Sequence, residues 1–210
     1  MRAMIWDLGG TLVDTYPDVD RALAGAIDPR PGPELLHEVA LLTRVSSSRA
    51  IDTLASRHGV PAAHLRAAYE QTKELWTHRP PPVMAGARAL LAAVRGADGL
   101  NLVATHRDRA SALALIDALE LPIDDLVCPG DGYARKPSPS MIRALLERHA
   151  LNPEACFAVG DRPADVEAAV AAGVRAFLLH TPGVPLEAPG DLRTPSLDAL
   201  IGLFTAREQS

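Results

Sequence analysis

The chain has little lysine, little cysteine and no excess of positive charge, and each shortage limits the functions that it can have. Only Lys73 and Lys136 are lysines among its 21 basic residues, so a role that needs a lysine has two candidates. Cys128 and Cys156 lack metal-site spacing and lie in apolar segments, which predicts buried, reduced thiols. The net charge of -5 argues against a nucleic-acid partner. No apolar run approaches the roughly 18–20 residues of a membrane-spanning helix, so we expect no membrane partner.

The length and composition are typical of a globular protein. The 210 residues suffice for one domain, or for a domain with a small insert, and 48% of them are hydrophobic and 22% charged. The start of the chain is too short and too soon acidic for a signal peptide. We therefore expect a cytoplasmic protein that is a monomer or a small homo-oligomer.

Apolar strands alternate with helical periodicity over most of the chain, which predicts an α/β fold. The predicted strands are a first strand before Asp7 and the segments 100–105, 126–128, 155–160 and 174–179, and the predicted helices between them are 86–96, 108–119, 139–150 and 164–172. This alternation is typical of a Rossmann-like parallel sheet covered on both faces. Such sheets bind ligands beyond the carboxyl ends of their strands.

Residues 16–80 break the alternation and have helical periodicity throughout. The predicted helices there are 18–27, 33–43, 48–58 and 62–78, and a proline-rich connector ends the segment at 79–83. We therefore expect an α/β core domain at 1–15 and 81–210, with an inserted all-helical cap domain at 16–80. A last short helix is predicted near 196–206.

The segment 5–14 joins an apolar strand to an aspartate and a glycine turn. A carboxylate such as Asp7 can attack phosphorus and form an aspartyl-phosphate. Gly9 and Gly10 allow a sharp turn whose amides point at a phosphate, and Thr11 adds a hydroxyl. The alternative interpretation is an ordinary Asp-Gly turn at the end of a strand.

Two further polar sites follow predicted strands. Thr105 and His106 end one strand just before a helix, whose N-terminus favours anions. Lys136 precedes another helix, where an ammonium would offset charge on a nucleophile and a phosphate. A helix-start threonine and a solvated surface lysine are the alternatives.

Asp161 and Asp165 form a carboxylate pair after a fourth strand. They are four residues apart at the start of a helix, which puts both roughly on one face. Two carboxylates at a strand end suit a hard cation such as Mg²⁺. Helix capping by Asp161, with Asp165 in the first turn, is the alternative interpretation.

In this order, the segments around Asp7, Thr105, Lys136 and Asp161 resemble the four motifs of the haloacid dehalogenase-like (HAD) hydrolases. The helical insert resembles that of the beta-phosphoglucomutase and phosphoglycolate phosphatase branch. The resemblance implies a Mg²⁺-dependent phosphatase for a small phosphorylated metabolite, with Asp7 as nucleophile. It also implies that Asp7, Asp161 and the backbone carbonyl at position 9 hold the metal, and that the glycine turn, Thr105, His106 and Lys136 bind phosphate.

Gly9 departs from the family motif, in which a second aspartate protonates the leaving group and later activates water. Loss of such a group lowers the reaction rate by about 10²–10⁴-fold. His106 is one candidate for the missing proton donor. A phosphonatase-like carbon–phosphorus hydrolase would need a cap lysine to form a Schiff base, and Lys73 is the only lysine in the predicted cap of this chain. The motif also leaves open a dehalogenase, which works without metal, a phosphoryl mutase, and a disabled HAD domain that binds a phosphate ligand or a partner.

Substrate choice in this family depends on the cap. Arg44 and Arg49 flank a loop between two predicted cap helices, where guanidinium groups can bind an anionic substrate. A polar loop that connects two helices is the alternative.

Overall fold

The computed structural model describes residues 2–188 and 192–205. The chain forms two compact units, a core unit of residues 1–13 with 83–210 and a helical unit of residues 14–82. The junctions at 13/14 and 82/83 compare with predicted junctions at 15/16 and 80/81. The assignment of the helical unit as a cap stays a prediction.

A parallel sheet organises the core unit. Its six strands, counted over the described part of the chain, have the order β3-β2-β1-β4-β5-β6, and each neighbouring pair is parallel. Their bounds are β1 Ala3–Trp6, β2 Leu100–Ala104, β3 Asp125–Val127, β4 Cys156–Gly160, β5 Arg175–Leu179 and β6 Leu192–Thr194. The predicted α/β class and parallel sheet are confirmed.

Both faces of the sheet are buried because successive side chains of a strand point to opposite faces. In β1, Met4 and Trp6 join one apolar cluster, whereas Ala3 and Ile5 join another. All four are almost fully buried. Parallel sheets have this near-continuous apolar character because helices cover both of their faces.

Helices follow the strands of the core unit, close to the predicted positions. Their bounds are α5 Ala87–Gly96, α6 Arg109–Ala118, α7 Ser140–Arg148, α8 Pro163–Ala171 and α9 Gly202–Thr205. The sequence explains where two of these helices begin. The Asp108 side chain caps α6 by accepting from Ser111 N. Helix α8 begins at Pro163, which has no backbone N–H that would need a partner.

The helical unit consists of amphipathic helices that pack on one another. Their bounds are α1 Tyr16–Ile27, α2 Pro33–Val45, α3 Ser47–His58 and α4 Ala62–Leu75. Buried Leu23, Ile51, Leu54 and Leu65 supply its apolar interior. A serine cap at Ser46 and a left-handed glycine at Gly59 bound α3, which explains why the helix starts and stops there.

The region after β5 agrees least with the sequence-based expectation. The predicted helix near 196–206 is instead a 3₁₀ turn at Asp198–Leu200 followed by the short α9, and residue 206 lies outside the described residues. The short strand β6 was not predicted. Both cysteines are buried and free, as predicted. Among the described residues, no helix combines the length and apolar character needed to cross a membrane.

Candidate active site

Three central strands deliver polar side chains to one edge of the sheet. Asp7 follows β1, Thr105 follows β2 and Asp161 follows β4, and β2 and β4 are the two neighbours of β1. Carboxyl ends of parallel strands meet at one edge, so residues far apart in sequence come together there.

The turn after β1 is closed by backbone hydrogen bonds. The amides of Leu12 and Val13 both donate to the carbonyl of Leu8 at 2.9 Å, and Gly10 N donates to Val13 O at 2.8 Å. Gly10 has a φ of 96°, a left-handed conformation that favours glycine. This tight turn keeps the backbone of Gly9 and Gly10 directly beside Asp7.

Lys136 is the central cation of the site. Its buried Nζ donates to Asp7 Oδ1 at 2.6 Å and to Ala104 O at 2.8 Å, and it pairs with Asp165 Oδ1 at 2.5 Å. Burial alone lowers the pKa of Lys136, but the charges of Asp165 and Asp7 outweigh it and leave that pKa raised. Lys136 is therefore a fixed positive charge at neutral pH.

Asp161 is fully buried and held by a hydroxyl. Thr11 Oγ1 donates to Asp161 Oδ1 at 2.9 Å. The Thr11 side chain thus orients a carboxylate, whereas the sequence interpretation offered its hydroxyl to a phosphate. Hydrogen bonds of this kind fix the direction of metal-binding carboxylates.

Asp165 has both carboxylate oxygens engaged. Oδ1 pairs with Lys136, and Oδ2 accepts the backbone N–H of Arg162 at 3.0 Å. Burial raises the pKa of Asp165, the Lys136 ammonium opposes this rise, and the charges of Asp7 and Asp161 reinforce it. A Cβ on Gly160 would lie only 2.3 Å from Asp165 Cβ, so this close approach requires glycine.

The carboxylates of this site fit a magnesium ion. Oxygens of Asp7, Asp161 and Asp165 lie within 4.8 Å of one another. The Lys136 ammonium pairs with two of them, Asp7 and Asp165. Hard carboxylate oxygens grouped in this way are the ligands that Mg²⁺ prefers.

Thr105 and His106 stand beside this cluster. The buried Thr105 Oγ1 accepts the N–H of Arg107 at 3.2 Å, and no described residue accepts its own proton. His106 Nε2 is buried and has no hydrogen-bond partner among residues 2–188 and 192–205. Burial, and next the charge of Lys136, lowers the pKa of His106 to about 4. Its imidazole is therefore neutral at pH 7.

The helical unit contains the other predicted site residues. Arg44 donates through one nitrogen to Asp20 and to Thr43 Oγ1, and its guanidinium stacks 3.9 Å from the ring centroid of Tyr16. Arg49 is exposed. The relation of Arg44 and Arg49 to the Asp7 cluster stays a prediction.

Lys73, the other lysine, has local partners in α4. Its Nζ lies 3.0 Å from both carboxylate oxygens of Glu70 and 4.6 Å from the centroid of the Tyr69 ring. These contacts are those of a helix-surface ion pair.

Arg135 is a residue beside the site whose role the sequence does not predict. In the structure its guanidinium donates to the carbonyl of His106 at 2.7 Å. Its position just before Lys136 is the only sequence signal that points to it.

Known proteins resemble this chain along most of its length. A family model of haloacid dehalogenase-like hydrolases matches residues 1–173. The phosphoglycolate phosphatase of Rhodospirillum rubrum is 35% identical over 191 residues, which cover 82% of this chain and 77% of that enzyme. The phosphoglycolate phosphatase of Cereibacter sphaeroides is 32% identical over 198 residues, which cover 87% and 86%. In fold, a HAD family hydrolase from Deinococcus radiodurans with bound phosphate and sodium has a TM-score of 0.78 at 22% identity, over 98% of both chains.

Proposed function

The chain belongs to the haloacid dehalogenase-like hydrolase family and is a phosphatase-type hydrolase, and from this premise we propose that it is a Mg²⁺-dependent phosphatase acting through an aspartyl-phosphate at Asp7. The observation that carries the proposal is the carboxylate of Asp7 at a strand end, 2.6 Å from a buried lysine and clustered with two further carboxylates.

Asp7 is the nucleophile in this proposal. Its Oδ1 is held by Lys136, which orients the carboxylate towards phosphorus. An oxygen–phosphorus bond forms to Asp7 while the bond from phosphorus to the leaving oxygen breaks. Water then attacks the aspartyl-phosphate and releases orthophosphate, which regenerates the Asp7 carboxylate.

Lys136 and Thr105 stabilise the phosphoryl group. The Lys136 ammonium stays protonated and offsets negative charge on the nucleophile and on the phosphoryl oxygens. The Thr105 hydroxyl can donate to a phosphoryl oxygen, because no acceptor for its proton is present within the described ranges. The amide of Gly9 and the neutral His106 complete the phosphate contacts, whereas the Gly10 amide, also a sequence-based candidate, already donates to Val13 O.

Asp7, Asp161 and the carbonyl of Gly9 would hold Mg²⁺, which supplies positive charge against the phosphoryl oxygens when bound. The hydroxyl of Thr11 supports this role because it orients Asp161. Asp165 stays a candidate ligand because its carboxylate belongs to the same cluster, and it also pairs with Lys136. We assign Asp165 to holding Lys136 in place.

Gly9 determines which phosphate esters we expect to react fastest. A glycine cannot protonate the leaving oxygen or activate water. His106 does not replace it as a charged acid, because an imidazole with a pKa of about 4 carries no extra proton at pH 7. Loss of general acid–base assistance slows reaction by about 10²–10⁴-fold. We therefore expect aryl and acyl phosphates, whose leaving groups need no protonation, to react faster than alkyl phosphates.

The substrate class is a small phosphorylated metabolite. The names of the relatives make phosphoglycolate the first compound to test. Arg44 and Arg49 stay candidate contacts for its second anionic group. Arg49 is the more available of the two, because Arg44 is already paired with Asp20.

Phosphate release tests the proposal. The purified chain is assayed with aryl, acyl and alkyl phosphates, phosphoglycolate included, with Mg²⁺ and then with excess chelator. We expect release that needs Mg²⁺ and that falls more than about 10³-fold in Asp7→Asn, because the variant lacks the nucleophile. Release that survives either change would overturn the proposal.

A second candidate function is a phosphate-binding HAD domain without turnover, and the absent acid at Gly9 favours it. The same assay separates the two with Gly9→Asp. A slow phosphatase gains activity on alkyl phosphates when the acid is restored, whereas a binder shows no release in either form but still binds orthophosphate in calorimetry.

A further inference from the structure

Two consecutive residues of the loop before α7 hold the backbone on both sides of Thr105. Lys136 Nζ donates to the carbonyl of Ala104 at 2.8 Å. Arg135 donates through a terminal guanidinium nitrogen to the carbonyl of His106 at 2.7 Å. The residue between those carbonyls is the one whose hydroxyl is available to a phosphoryl oxygen.

Further hydrogen bonds hold the same turn, but they do not reach the carbonyl of His106. Thr105 N donates to Val127 O at 3.1 Å, which continues the strand pairing, and Arg107 N donates to Thr105 Oγ1 at 3.2 Å. Within the described residues, Arg135 is the donor that holds this carbonyl. Removal of its guanidinium takes away the hydrogen bond to the carbonyl of this peptide, which then keeps the one from Arg107 N to Thr105 Oγ1.

Movement of this peptide matters because it lies next to two groups that are proposed to bind the ligand, the His106 side chain and the Thr105 hydroxyl. The carbonyl belongs to His106, whose buried Nε2 has no partner within the described ranges and would donate to a ligand oxygen in the Nε2–H tautomer. The next amide, of Arg107, sets the direction of the Thr105 hydroxyl through its hydrogen bond. A shift of one peptide therefore misaligns both groups at once.

We propose that Arg135 is a positioning residue, which together with Lys136 fixes the Thr105–His106 turn for binding of the phosphoryl group. The inference rests on the proposed phosphatase function and adds a residue to it. Arg135 acts through the backbone and does not contact the reacting atoms.

The test compares Arg135→Ala with a matched control, Arg88→Ala. Arg88 is also exposed in the core unit and also donates at 2.7 Å to a backbone carbonyl, that of Leu119. The readouts are the inhibition constant for orthophosphate, KM and kcat for the best phosphate ester, and the thermal unfolding midpoint. A hydrogen bond from a charged donor is worth enough to predict about tenfold weaker orthophosphate inhibition for Arg135→Ala.

We expect KM to rise with the inhibition constant in Arg135→Ala, no change of either constant in Arg88→Ala, and similar unfolding midpoints for both variants. Arg135→Lys should recover most of the loss, because an ammonium can also donate to the carbonyl. The deficit of Arg135→Ala should persist at high ionic strength, since the acceptor is an uncharged carbonyl.

An unchanged inhibition constant, an equal loss in Arg88→Ala, or a deficit that disappears in high salt would overturn the positioning role. The last outcome would mean that Arg135 only attracts anions. The Asp7→Asn control keeps this separate from the proposed function: if that variant is inactive and Arg135→Ala is normal, only the positioning role fails.

Discussion

Each unit of this protein buries a cluster of charged side chains, and the two clusters are balanced differently. In the core unit, the carboxylates of Asp7, Asp161 and Asp165 lie together, and one ammonium pairs with Asp7 and Asp165. In the helical unit, Asp20 pairs with one guanidinium, that of Arg44. Buried charge is costly unless it is matched. The helical-unit pair matches one carboxylate with one guanidinium, whereas the core cluster gathers three carboxylates, whose hard oxygen donors are the chemistry that Mg²⁺ prefers.

The largest effect should come from removal of the core cation. In Lys136→Met, the side chain keeps most of its apolar stem but Asp7 and Asp165 lose their partner. We expect phosphate release to fall about 10³-fold, the scale of losing one preorganised electrostatic group. Lys73→Met, which removes the only other lysine, is the control and should keep full activity. A large loss of activity in Lys73→Met would instead favour phosphonatase-like chemistry. Equal activity of the two variants would contradict the role of Lys136 in phosphate release.

The next effect concerns the balanced pair in the helical unit. Asp20→Asn leaves the largely buried Arg44 without its counter-charge, and breaking such a pair costs about 3 kcal/mol of the free energy of unfolding. Asp52→Asn, which breaks an exposed pair with Arg66, is the matched control and should cost less than about 1 kcal/mol. Urea unfolding measures both. Equal costs would show that the Asp20–Arg44 pair behaves as a surface pair.

The smallest effect is a pH dependence from His106. Its pKa is about 4 in the folded chain and near 6.5 when unfolded, so between these values the unfolded chain binds a proton that the folded chain does not. Stability from this group is therefore complete above about pH 6.5 and is lost as the pH falls towards 4.

Between pH 7.5 and 5, wild type should lose about 1 kcal/mol more stability than His106→Gln, which has no such group. Unfolding at both pH values measures the difference, and any step of kcat/KM near pH 6.5 should be the same in wild type and in His106→Gln. A step there that vanishes in His106→Gln would mean that the histidine titrates as an exposed imidazole.

The predictable parts of the fold have local causes. Helix α3 begins at a serine cap and ends at a left-handed glycine, and both signals stand in the sequence at Ser46 and Gly59. The strands before Asp7 and Asp161 are short apolar runs that end in an aspartate. Strand β6 escaped prediction because three residues, two of them exposed, have no periodicity; pairing with β5 makes them a strand.

By itself, the sequence determined the parallel sheet, the helical insert and the identity of the chemical groups at the strand ends, because strand and helix periodicity and turn chemistry are local properties. It also determined that position 9 has no acid. Only the tertiary structure decided which group each of these side chains holds in place. Thr11 turned out to orient Asp161, Asp165 to hold Lys136, and Arg135 to hold the carbonyl of His106. These partners are 29 to 150 residues apart, and only the sheet topology brings them within hydrogen-bonding distance.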